Sequence, residues 1–138
     1  MTTYLEATQE LGRALVMRGI KGPIVMLNLL RFRDVADYGH APQLAPAEPI
    51  SGAAAYDLYI EQVQPHLEAG GGKLLFKGEG GQFLIGPEAE RWDLAMLVQQ
   101  ASLESFFAFA QMPGMDDILA HRTAALVDSR LLPLAPLP

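Results

Sequence analysis

Apolar residues recur at Tyr4, Ala7, Leu11 and Leu15, steps of three and four that put one stripe on a helix over residues 4–18. Thr3 and Glu6 stand at capping-box spacing before it, and Gly19, Gly22 and Pro23 stop it. The period then changes. Residues 24–32 are nearly all apolar, which predicts a strand covered on both faces. Ile24, Met26, Asn28, Leu30 and Phe32 point one way, and Val25, Leu27, Leu29 and Arg31 the other. Tyr56, Ile60, Val63 and Leu67 return to the helical period over residues 52–69. Pro65 should kink that helix, and Gly70, Gly71 and Gly72 end it.

The second half alternates more tightly. A strand is expected over 73–78, then a Gly-rich break over 78–81, and a further short strand over 82–85. A third strand runs over 92–99, with Trp92, Leu94, Met96 and Val98 on one face. Ser102 caps a helix over 103–111, Met112-Pro113-Gly114 interrupts it, and a short helical piece covers 115–121. A last strand is expected over 123–132 and an extended arm over 133–138. Residues 34–51 carry Pro42, Pro46 and Pro49 with no periodicity. A loop of about 18 residues is long enough to be read as a mobile lid over a pocket.

The order, after a leading helix, is strand–helix–strand–strand–helix–strand. This is the split βαβ arrangement, an α+β ferredoxin-like plait with an antiparallel sheet, an extra N-terminal helix and its main helices on one face. The other face still carries leucine, valine and alanine. A second copy is the cheapest cover for it, so a homodimer is expected. The whole chain, 1–138, reads as one domain with its plait core at 23–132.

Composition removes several classes of function. The 138 residues include no cysteine, which excludes disulfides, thiolate zinc sites, iron–sulfur clusters and a cysteine nucleophile. The N-terminus has no secretory h-region, and no apolar run reaches the ~20 residues of a membrane span. The cytoplasm is therefore the expected compartment, and no membrane partner is expected. The net charge is −6 and the ten basic residues are scattered, so no nucleic-acid partner is expected. The three histidines are dispersed without a metal signature, and no phosphate loop, nucleophile elbow, flavin or nicotinamide fingerprint is present, so no cofactor is expected.

Taken together, several strings resemble one family. They are residues 26–32 (MLNLLRF), 36–38 (ADY), 51–56 (SGAAAY) with Tyr59, Gly86-Pro87 with Arg91-Trp92-Asp93, and His121-Arg122 with Ala124-Ala125-Leu126. The chain is similar to the uncharacterised family labelled, in words, DUF thirteen-thirty, of the dimeric α/β-barrel superfamily. The resemblance implies the plait paired sheet to sheet. It implies no assigned reaction, although wider relatives hold small molecules between sheet and helices.

Five residues are candidates for ligand contact. Asn28 is an amide on an apolar strand, and it must either anchor a ligand or find a backbone partner. Tyr56 and Tyr59 lie three apart on one helix and can flank a groove. His121 can exchange a proton near neutral pH, and Arg122 can clamp a carboxylate; both can also simply end a helix. The functional expectation is a dimeric small-molecule-binding protein, or a cofactor-independent enzyme, for a small and partly apolar organic acid. The rival is a non-catalytic structural or interaction protein in which these residues only stabilise the fold.

Overall fold

The computed structural model describes residues 2–138. Four strands form one antiparallel sheet in the order β2-β3-β1-β4, with β1 Ile24–Phe32, β2 Lys73–Gln82, β3 Arg91–Gln100 and β4 Leu126–Leu134. The helices are α1 Gln9–Met17, α2 Gly52–Ala69, α3 Leu103–Ala110 and α4 Met115–Ala125. This order and pairing make the ferredoxin-like plait, with α1 as the extra N-terminal helix.

The alternation in β1 decides which face is covered. Ile24, Met26 and Leu30 are buried beneath the helices, with Tyr56 and Ala55 of α2, Ala124 and Ala125 of α4, and Met96 of β3. Burying these side chains contributes roughly 1.5–3 kcal/mol of stabilisation for each large one. The opposite face carries one apolar row across all four strands: Phe76, Leu97, Leu27 and Leu132 are consecutive cross-strand partners. Phe76 and Leu132 stay more than half exposed.

β1 and α2 occupy their expected spans. Ser51 caps α2 by accepting from Ala54 N–H at 3.0 Å, and Pro65 lies inside the helix without ending it. Other elements differ. α1 begins only after Thr8, whose hydroxyl accepts from Leu11 N–H at 3.1 Å, so Thr3 caps nothing. Residues 4 and 5 are instead bonded to β4 and α4. The expected break over 78–81 is part of β2, whose register slips earlier, between Leu74 and Phe76. Glycine belongs here for close approach: a Cβ on Gly80 would lie 2.3 Å from the Trp92 carbonyl oxygen. The strand expected over 82–85 is absent beyond Gln82, and Leu84 is fully exposed. α4 is longer than expected: it runs on through Arg122 and takes residues 123–125 from the fourth strand. β4 in turn takes in Pro133, which an edge strand tolerates.

The loop over 34–51 is not the loose lid its composition suggests. Ala36 N–H donates to Ile50 O and Asp37 N–H to Ala124 O, both at 2.9 Å. Pro42–Leu44 forms a 3-10 turn, and Tyr38 and Ala41 are buried. No described helix is long and apolar enough to cross a membrane.

Candidate functional site

Three of the five candidates, Tyr56, Tyr59 and Arg122, meet between α2 and α4. Tyr56 and Tyr59, one helical turn apart, pack with their rings tilted and centroids 5.1 Å apart, and the Tyr56 ring also packs tilted against Phe32 with centroids 5.5 Å apart. Burial pushes both phenols up, and the Arg122 guanidinium beside them pulls each part-way back. Arg122 donates through Nη1 to the Leu5 carbonyl at 2.7 Å and through Nη2 to Ser129 Oγ at 3.3 Å. The ion pairs among the described residues are Arg91–Asp93 and Arg130–Asp128, so no carboxylate answers Arg122.

His121 faces elsewhere, because adjacent helix positions diverge by about 100°. Its Nδ1 lies 2.7 Å from the Tyr38 hydroxyl and its Nε2 lies 3.3 Å from the Gln62 amide nitrogen. With that amide donating to Nε2, Nδ1 carries the proton and donates to the Tyr38 oxygen, which is a neutral imidazole. The pair fastens the 34–51 loop to both helices. From the sequence Tyr38 reads as a loop residue that could close over a pocket or simply sit on the surface, whereas here it is buried against His121; Gln62 is not among the sequence candidates. Each is far from His121 along the chain, so no local pattern ties them.

Burial lowers the affinity of His121 for a proton, and Asp117 only partly offsets this. The unfolded chain therefore binds a proton more readily than the native state. Stability should be complete above the ordinary imidazole value of about 6.5 and fall as the pH drops below it. Urea melts at about pH 7 and about pH 5 should show this loss, and His121→Gln should remove that part of it. An identical pH slope in the variant would mean that His121 is not the group responsible.

Asn28 lies outside the cluster. Its Nδ2 donates to Met26 O of its own strand at 3.2 Å, and no hydrogen bond links it to Tyr56 or Arg122. The register nevertheless puts it on the covered face, one pleat along from Leu30 and that residue's β4 partner Ser129.

At the edge strand, Asp128 Oδ1 accepts from Tyr4 N–H at 2.8 Å, from Ser129 N–H at 2.8 Å and from Arg130 at 2.6 Å. Burial pushes this carboxyl up, but those donors together hold it below the ordinary aspartate value. Arg130 also lies over the rings of Tyr4 and Trp92, 4.9 and 5.0 Å from their centroids.

Open space lies elsewhere, at the end of β1. Two adjoining clefts of about 310 and 530 Å³ share Phe32, Asp34, Arg91 and Asp93, and none of the five candidates lines either. Arginines line them, but Asp93 pairs with Arg91 at 3.3 Å and also accepts from Phe32 N–H at 2.8 Å. Asp34 and Glu79 add further negative charge, so an incoming anion gains little there. Among the described residues, no three histidine or acidic side chains come together to hold a metal ion.

Solved structures share this architecture over the whole chain. The methylated RPA0582 protein is 34% identical over 100% of this chain and 98% of its own, with a TM-score of 0.85. The RPA0582 protein of unknown function from Rhodopseudomonas palustris is 34% identical over 99% of each chain, with a TM-score of 0.82. The chain belongs to the RPA0582 family. More distantly, a dimeric protein of unknown function from Bacteroides fragilis NCTC 9343 shares the ferredoxin-like fold. It is 12% identical over 85% of this chain and 99% of its own, with a TM-score of 0.50. No family profile matches the chain, and no curated protein does. The RPA0582 family thus supplies the fold, while its site chemistry has to be argued from these side chains.

Proposed function

We propose that the protein is a homodimeric small-molecule-binding protein whose ligand is a small organic acid held at Arg122. The observation that carries this reading is the partly buried Arg122 guanidinium, set beside two tyrosines with no carboxylate partner. A partly buried cation without a counter-charge is a ready anion site, and a ligand carboxylate would supply that charge in bidentate geometry. Tyr56 and Tyr59 form the apolar wall, Asn28 lies on the sheet beneath, and His121 holds the loop beside it. The resemblance in the strings around Arg31, Tyr56 and Arg122 also supports reading the chain as a DUF thirteen-thirty member.

Dimerisation is supported by the uncovered apolar row. Four strands about 4.8 Å apart, each rising about 3.4 Å per residue over about nine residues, make a face of roughly 590 Å² before side chains are counted. That approaches the ~800 Å² per partner of a standard interface. The Bacteroides fragilis protein of this fold is itself described as dimeric.

A second reading, a non-catalytic protein without a ligand, is favoured by one observation: both His121 nitrogens are taken by Tyr38 and Gln62 inside the fold. Thermal melts with a panel of aliphatic and aromatic monocarboxylates separate the two readings, since a ligand stabilises the state it binds. The wild type should gain several degrees with at least one acid, and Arg122→Gln should lose that gain. No shift with any acid, or an equal shift in both proteins, favours the second reading.

A further inference from the structure

We propose that the N-terminal segment is a built-in occupant of the Arg122 site, and that the ligand displacing it is a small monocarboxylate with a branched apolar body. This rests on the reading of Arg122 as the acid-binding group. The Leu5 carbonyl takes the Arg122 Nη1 donor at 2.7 Å, while the Leu5 side chain packs against the core cluster that contains Leu30 and Tyr56. A carbonyl joined through one carbon to an isobutyl group is the neutral image of 4-methylpentanoate. The acid's carboxylate falls on the guanidinium, and its isobutyl group falls where the leucine side chain sits. The acid also has the stronger claim, because charge-assisted hydrogen bonds are roughly twice as strong as neutral ones.

The segment is held in a way that allows exchange. Residues 2–7 form no helix or strand. Beyond Leu5 they are fastened by Tyr4, whose N–H donates to Asp128 and whose carbonyl accepts from Ser129 Oγ at 2.6 Å. The helix that follows, α1, buries no residue, and Arg18 ties its end to the Pro133 carbonyl at 2.8 Å. So few buried contacts mark a region that opens at low cost. Its departure strands no charge: Asp128 keeps Arg130 and the Ser129 amide, and the Ser129 hydroxyl is released to donate to the incoming carboxylate.

The test is calorimetric titration of the full chain and of Leu5→Ser with 4-methylpentanoate, combined with hydrogen exchange at the Tyr4 amide. Removing the leucine anchor raises the open fraction, so Leu5→Ser should bind about tenfold more tightly than the wild type. In the wild type, saturating acid should speed exchange at Tyr4, because the bond to Asp128 is released. Equal affinities in the two proteins, or unchanged Tyr4 exchange at saturation, overturn the occupant while leaving Arg122 as the acid site. If Leu5→Ser unfolds, Tyr4 exchange in the wild type decides alone. Absence of binding by both folded proteins at millimolar acid removes the Arg122 reading, and the occupant with it.

Discussion

Gly52→Ala is expected to cost about 3–4 kcal/mol of stability, more than any other single methyl group added to this chain. Gly52 opens α2 at the point where three elements cross. Its N–H donates to Arg33 O at 3.0 Å, and Arg33 N–H donates to Ala125 O at 2.8 Å. A Cβ at this position would lie 2.3 Å from Arg33 O, 2.6 Å from Ala125 O and 2.7 Å from Arg33 N. All three are backbone atoms, so relief requires moving the end of β1 or the end of α4 rather than turning a side chain. Both ends pack on the main core. Gly12→Ala is the matched control: it lies within α1, with nothing inside 4 Å of its added Cβ. There the same change should stabilise the chain by about 0.5–1 kcal/mol through helix propensity. Paired urea melts check both signs. A loss below about 1 kcal/mol at Gly52 would mean that the crossing is looser than its geometry shows.

Leu97→Glu is expected to convert a dimer into a monomer. Leu97 stands between Leu27 and Phe76 in the apolar row on the open sheet face, and it is only partly buried in the protomer. Within one chain the new carboxylate can reach water, so protomer stability should change little. Across a two-fold face-to-face contact, two such carboxylates would be buried without partners. That should weaken association by at least about 3 kcal/mol, more than a hundredfold in Kd. Sedimentation of the wild type and the variant at micromolar concentration reads this directly. A wild type that sediments as a monomer would remove the dimer from the proposed function and leave the sheet face without an occupant.

The local elements that were legible share one feature: their signals are carried by near neighbours. β1 follows from an apolar run interrupted only by Asn28 and Arg31, closed by Pro23 on one side and by the polar residues after Phe32 on the other. α2 follows from Ser51, a 3.6-residue stripe and three glycines, and these set its ends whatever packs against it. The plait could be read from the order of elements, because few topologies accommodate that order.

What the sequence alone could not determine depended on partners remote in the chain. Gly80 looked like a chain break, because nothing local shows that the Trp92 backbone lies against it. Thr3 and Glu6 have helix-capping spacing, but Asp128 and Arg122 draw the backbone at residues 4 and 5 to themselves. Those bonds favour an extended path, and α1 starts later, at Thr8. His121 and Arg122 looked like one pair in the sequence. Tertiary packing separates them, sending the histidine to Tyr38 and Gln62 and the arginine toward Tyr56, Tyr59 and Leu5. Sequence by itself therefore determined which residues carry charge, hydroxyl or amide and on which element each rides. Which of them meet was decided only by the folded chain, because contacts between residues 83 or 117 positions apart are set by how the helices seat on the sheet and not by any local preference.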